Sequence, residues 1–337
     1  MKSLNLLSAS VLIATISSTV LAAESVNVYS YRQPFLIEPV FDAFTAETGI
    51  EVNTVFAKKG LVERLKNEGR NSPADVLLTS DFSNLSAAVA ADITQAVESE
   101  TLAKNIPAEF RDPGNLWFGL TKRARLIAVS KDRMGDVVPT SYEDLAKAEF
   151  KGKICTRSGK HNYMVALTAS VIAHAGADSA REWLAGVKDN LARKPQGNDR
   201  AQIKAISQGE CDIAIINSYY MGAMLDDEEQ TQWANSVNLV FPNQSDRGTH
   251  MNISGVALTR SAPNKANGIK LMEYLSSADA QKHYAEVNHE YPVNKQVDAS
   301  ALVQSWGEFK YDTLPLSKIA KHRNSASKLA DEVNYDN

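Results

Sequence analysis

The feature that most constrains the fold is an alternation of strand-like and helix-like segments that begins at residue 26. Val26-Asn-Val-Tyr29 alternates as a strand does, and a helical pattern over residues 35–48, carrying Phe35, Val40, Phe41 and Phe44, follows it until Gly49. Residues 50–56 read as a second strand, 61–68 as a charged helix, and Ala74-Asp-Val-Leu-Leu-Thr79 as a buried strand. Strands separated by helices return in the same direction, so this order predicts an α/β fold on a parallel sheet. The alternation continues with a strand over 126–130, a short helix opened by a capping box between Thr140 and Glu143, and helices over 162–174, from Asp178 and over 200–207. A strand over 212–216, another over 255–258 and helices over 266–276 and 279–287 follow. The tail over 302–337 reads as polar and helical, with frayed last residues.

Ahead of the first strand, Lys2 precedes an uncharged apolar stretch over 4–20 and then Val20-Leu-Ala22, the pattern of a signal peptide over residues 1–22 cleaved near Ala22 or Ala23. Its core is too short and too rich in Ser and Thr for a membrane span, and no later stretch approaches the roughly 18 apolar residues a span needs. The mature chain is therefore expected in a bacterial periplasm, not inserted in the membrane. Losing Lys2 takes the formal charge from −4 to −5. A mildly acidic chain argues against nucleic acid as a partner, because phosphate binding wants a basic stripe. At roughly 100–200 residues per domain, two domains are expected.

Two cysteines are present, each eight residues before a tyrosine: Cys155 before Tyr163 and Cys211 before Tyr219. In an oxidising compartment they are consistent with one bridge, which would tie together the segments that carry the tyrosines. Closing that loop would contribute about 4 kcal/mol in the chain-entropy model. Two buried free thiols are the alternative, since sequence carries no bridge geometry. No His or Cys stands at zinc-like spacing from either.

Tyr219 and Tyr220 follow Asn217-Ser218 at the carboxyl end of a strand, the place where open α/β sheets bind ligands. In a continued strand their side chains would face opposite ways, so both serve one site only if the chain turns there. Tyr163 follows Asn162, a good helix cap, which puts its phenol at a helix amino terminus where negative charge is favoured. Taken singly, each tyrosine is equally a packing residue. Arg32, Arg123 and Arg125 stand at strand ends and offer a planar fork for an oxyanion, or an ordinary ion pair. The histidines show no metal-ligand spacing; His161, close to Tyr163, and His250 are the two kept in reserve. No phosphate-cradling Gly loop, nucleophile elbow or Ser-x-x-Lys is present, which weakens an enzyme reading.

A free phenol titrates near pH 10, so a tyrosine without a partner is protonated at neutral pH. A hard trivalent cation can displace those protons, and three phenolates balance a 3+ charge, which points to Fe3+. A bidentate anion held by arginine would fill the remaining positions.

Together these segments resemble the periplasmic ferric-iron-binding proteins of ABC import systems. The resemblance covers essentially the whole mature chain. It is carried by Val26-Asn-Val-Tyr-Ser-Tyr-Arg-Gln-Pro34, Trp117-Phe-Gly-Leu-Thr-Lys-Arg-Ala-Arg125, Ser158-Gly-Lys-His-Asn-Tyr163, Gly209-Glu-Cys-Asp212, Asn217-Ser-Tyr-Tyr220 and Gly248-Thr-His-Met-Asn-Ile-Ser-Gly255, with shorter matches at 72–78 and 152–155. It implies a two-lobed type II periplasmic binding fold, each lobe a mostly parallel sheet flanked by helices, with crossing hinge strands. The lobes it implies are residues 25–122 with 246–297 and 123–245 with 298–337. It further implies that Tyr163, Tyr219 and Tyr220 ligate Fe3+, that Arg32 and Arg123 hold carbonate or bicarbonate, and that hinge closure brings Arg32 to the metal. The partner would be an inner-membrane ABC permease, and the protein a monomer without catalytic activity. Gln33-Pro34 stands where one branch of the family has a His-Tyr pair, and the His and Glu of a second branch have no counterpart here. The match is therefore to the three-tyrosine branch. The alternatives are a protein of the same fold for a small oxyanion or polyamine, or an exported hydrolase.

Overall fold

The computed structural model of the protein describes residues 24–337; the leader expected over residues 1–22 lies outside the described residues. The chain opens with β1 (Ser25–Ser30), to which β2 (Glu51–Phe56) and β3 (Val76–Thr79) are both parallel. The helix Pro34–Thr48 connects β1 to β2. Pro34 suits its first turn because its ring presets φ and no N–H is needed there, and Gly49 stops it at φ 73° in the left-handed region. Its inner face is Ile37, Val40, Phe41 and Phe44. Phe35, expected on that face, is 69% exposed, because two residues before Ile37 lies roughly on the opposite side of a helix.

The remaining strands are β4 (Phe118–Ser130), β5 (Ile154–Cys155), β6 (Ile213–Asn217), β7 (Val237–Val240), β8 (Met251–Leu258) and β9 (Tyr291–Pro292). They run in the order β2-β1-β3-β8-β4-β6-β5, with β7 and β9 also paired to β4. β4 is far longer than the expected 126–130 because its first half is polar. Residues 118–124 pair with β8 and residues 125–129 with β6, so one strand leaves one lobe and enters the other. The expected parallel arrangement holds in β2-β1-β3 and β5-β6 but gives way to antiparallel pairing at β3-β8, β8-β4 and β4-β6. These crossing strands are not reached through a single helical crossover, so the rule that returns strands in one direction does not act on them.

In the second half of β4 both faces are buried, which explains its unbroken apolar run. Leu126 and Ala128 pack with Ile203, Ile206 and Ile216, whereas Ile127 and Val129 pack toward Trp183 and Leu184. Among the described residues no helix is long and apolar enough to cross a membrane.

Local caps differ from those the sequence predicts. His161 rather than Asn162 caps the helix Asn162–Ala175, its Nδ1 accepting from Tyr163 N–H at 3.2 Å. The capping box at Thr140–Glu143 is replaced by Asp144, whose Oδ2 accepts from the N–H groups of Thr140 (2.8 Å) and Ser141 (3.0 Å) ahead of a single tight turn. Asp178 lies inside the first turn of the helix Ala177–Asp189 and pairs with Arg181. The carboxyl end is fastened, not frayed: Tyr335 is fully buried beside Thr156, and Asp336 accepts from Gly159 N–H (2.8 Å) and Ser158 Oγ (2.6 Å).

Cys155 and Cys211 are joined, with their Cα atoms 5.9 Å apart. The bridge clips β5 to the segment entering β6. Replacing both cysteines with Ser should lower the unfolding free energy by about 2–4 kcal/mol, read as a lower denaturant midpoint; coincident curves would contradict a stabilising bridge. A second expectation concerns His250, just before β8. It is 3% exposed, neither ring nitrogen has a hydrogen-bond partner, and burial holds its imidazole down to about 4. The unfolded chain takes up a proton near pH 6.5 that the folded chain refuses until about 4. Stability should therefore fall with pH across that window, by on the order of 1–3 kcal/mol from this group. Urea unfolding between pH 7 and 4.5 should show a shallower loss in His250→Leu; an unchanged slope would remove His250 as its source.

Candidate metal centre

Between the lobes lies a cleft of about 600 Å³ to which Tyr163, Tyr219 and Tyr220 all contribute, together with Arg32 and Arg123. The two adjacent tyrosines share it because β6 stops at Asn217 and a helix, Ser218–Leu225, begins at once. Neighbouring residues in a helix are only about 100° apart, so both rings turn to one side. Their centroids are 4.3 Å apart with planes at 29°. The third phenol comes from the first turn of the helix Asn162–Ala175, and Tyr163 Oη lies 3.1 Å from Tyr219 Oη.

The junction is fixed from behind by Asp199, which is fully buried. Its Oδ2 accepts from Asn217 N–H (2.7 Å) and Arg125 Nη1 (2.8 Å), and its Oδ1 accepts from Arg157 Nη1 (3.0 Å). Ser218 Oγ accepts from Ala124 N–H at 3.2 Å. Gly222 allows a close contact on the same helix, since a Cβ there would run into the His289 ring, and His289 Nε2 is 2.7 Å from Asp226 Oδ2. Among the described residues no group of three or more His, Cys, Asp or Glu side chains is placed to hold a metal; the cleft brings the three phenols together, and its lining also carries Asp226 and Glu290.

Burial pushes the Tyr219 phenol well above its usual value, and the adjacent Tyr163 and Tyr220 add to this because phenolates repel one another. Tyr163 is also raised by burial, with the Arg123 guanidinium working against it. Arginines surround the Tyr163 ring, with Arg157, Arg123 and Arg125 at 4.9, 5.5 and 5.8 Å from its centroid. Burial thus favours the protonated form of Tyr163 and Tyr219, and Arg123 works against it at both.

Of the residues singled out in the sequence, Tyr163, Tyr219, Tyr220, Arg32 and Arg123 meet in this cleft. Arg125 does not belong with them as an anion fork, being spent on Asp199 and Asn217. His161 is the helix cap, held down to about 4 by burial and then by Arg157 and Arg125, and its ring packs on Tyr163. Sequence reasoning missed Asp199, Arg157, Asp81 and Glu290. Arg123 pairs with Asp81 (3.4 Å), and Arg32 pairs with Glu290 (2.8 Å). No spacing or motif marks these acids; only tertiary pairing reveals them.

The family model described as bacterial extracellular solute-binding protein matches residues 71–310. The chain is 42% identical over 325 residues to Iron uptake protein A1 of Synechocystis sp., spanning 96% of this chain and 90% of that one. The solved structure of Mannheimia haemolytica Ferric iron-Binding Protein A in an open conformation is 56% identical with TM-score 0.88, over 94% of this chain and 100% of the other. A Trichodesmium structure in complex with iron and citrate ligands is 43% identical with TM-score 0.88, over 92% of this chain and 99% of that one. With the two lobes, the crossing strand and the phenol-lined cleft, this places the chain among the bacterial extracellular solute-binding proteins, in the branch of the ferric-iron-binding proteins of type II periplasmic binding fold.

Proposed function

We propose that the protein captures Fe3+ in the interlobe cleft with the phenolates of Tyr163, Tyr219 and Tyr220 and delivers it to an inner-membrane ABC permease. It is a carrier and not an enzyme. The observation that carries the ligand set is the approach of Tyr163 Oη to Tyr219 Oη at 3.1 Å, with Tyr220 stacked on Tyr219. Three phenolates neutralise one ferric charge, and the helix amino terminus at Tyr163 and the arginines around its ring favour the deprotonated state. A ferrous ion, less charged, competes less well for phenolic protons.

Arg32, just past the end of β1, and Arg123, on β4, complete the shell in this reading by holding carbonate or bicarbonate. The lobes are residues 25–122 with 246–297 and residues 123–245 with 298–337. All three phenols then lie on one lobe, and Arg32 reaches them from the other when the hinge closes. The carrier works as a monomer in the periplasm, its leader removed near Ala22 or Ala23.

Titrating metal-stripped protein with a ferric chelate should raise a phenolate-to-iron charge-transfer band at one ion per chain. Because loading expels phenolic protons, the band should weaken as pH falls. Each single Tyr→Phe change at 163, 219 or 220 should shift or abolish the band. The affinity loss should exceed the ~10–100-fold that outer-shell partners are worth. Omitting bicarbonate, or replacing it with citrate, tests the anion. Unchanged iron affinity in the Tyr219→Phe, Tyr220→Phe double variant would sink the phenolate reading and leave a small-oxyanion carrier of the same fold.

A further inference from the structure

The arginine pair assigned to the anion already holds one. Glu290 is 4% exposed, and its Oε2 accepts from Arg32 Nη2 (2.8 Å) and Thr121 Oγ1 (2.9 Å). Its Oε1 lies 3.9 Å from Arg123 Nη1. Ser254 Oγ supports the arrangement from 2.5 Å away from Thr121 Oγ1. The glutamate sits directly ahead of β9, whose Pro292 is in register with Thr121, so the backbone as well as the side chain is placed for this contact. A carboxylate presents the same planar pair of oxygens as bicarbonate, and both compete for one guanidinium edge.

Like charge disfavours having both occupants on one guanidinium edge. Arg32 and Arg123 are balanced by Glu290 and Asp81. Arg125 and Arg157 share the one carboxylate of Asp199, but that surplus positive charge lies beside Tyr163, whereas an anion added at the Arg32–Arg123 pair meets Glu290 already there and is repelled by it. The arginines nevertheless keep capacity for an anion, since the Nε of Arg32 and of Arg123 are buried without a hydrogen-bond partner.

Resting on the ferric reading above, we propose that Glu290 is a resident counter-anion. It fills the Arg32–Arg123 pair when the cleft is empty and is exchanged for the anion that enters with Fe3+. It thereby sets how much anion loading requires, and its return to the arginines helps drive the anion out on release. Glu290 is a specificity-determining residue that never touches the metal.

The test is the charge-transfer titration with ferric nitrilotriacetate at a series of bicarbonate concentrations, in the wild-type protein, Glu290→Gln and Thr121→Val. Gln keeps the shape and an acceptor for Arg32 but removes the competing charge, so the bicarbonate midpoint should fall by about tenfold or more, as expected for removing a nearby like charge. Val at 121 keeps every charge and removes one hydrogen bond that holds Glu290, so its midpoint should fall by less, about threefold. Thermal unfolding identifies a Gln variant that has not folded, in which case Thr121→Val decides. Equal or higher midpoints overturn the proposal and instead make Glu290 a support for the arginines. A wild-type band that needs no bicarbonate overturns it together with the anion reading, whereas the absence of any wild-type band removes the ferric reading itself.

Discussion

The arrangement of the cleft depends on one buried carboxylate. Asp199 takes hydrogen bonds from the guanidinium groups of Arg125 and Arg157 and from the backbone of Asn217. One of two buried guanidinium charges is thereby offset, and the end of β6 is held at the point where the chain turns into the helix that carries Tyr219 and Tyr220. Without that turn the two rings would sit on opposite faces of a strand. A carboxylate so placed is also costly to disturb, since removing it would leave two buried arginines without a counter-charge. The disulfide acts on the same region from the other side, fixing the entrance of β6 to β5.

The cleft gathers three phenols beside several arginines. Burial raises the Tyr163 and Tyr219 phenols above their usual value, and the neighbouring phenols add to the rise at Tyr219. Arg123, one of the arginines around Tyr163, works against that rise without cancelling it. Arg32 and Arg123 stand in a second layer of charge, neutralised by Glu290 and Asp81, and this layer spans the segment just past β1, β4 and the segment before β9.

Much of the fold was legible because burial imposes a period. The helix over 61–68 has the limits expected of it, and the strands at 25–30 and 51–56 fall within a residue of their predicted ends. The failures share a cause. The first half of β4 carries Thr121, Lys122 and Arg123 and does not read as a strand, since those side chains are paired by groups remote in sequence. Phe35 read as core and is exposed, because a helix face is fixed by its whole stripe. The tail read as frayed because nothing in a polar sequence announces that Tyr335 fits under the glycine at 159, where a Cβ would come within 2.7 Å of its ring.

The sequence by itself determined the class of fold, the two cysteines and the residues that could serve a ferric ion, because hydrophobic period and side-chain chemistry are local properties. It also placed Tyr219-Tyr220 at a strand end, where a ligand site is expected. Only the tertiary structure decided that Tyr163 meets Tyr219 at 3.1 Å, that Arg125 is structural, and that Glu290 already occupies Arg32. These are pairings across 56, 74 and 258 residues of chain. Electrostatic balance in a buried cleft is a sum over groups brought together by folding, and no local pattern encodes that sum.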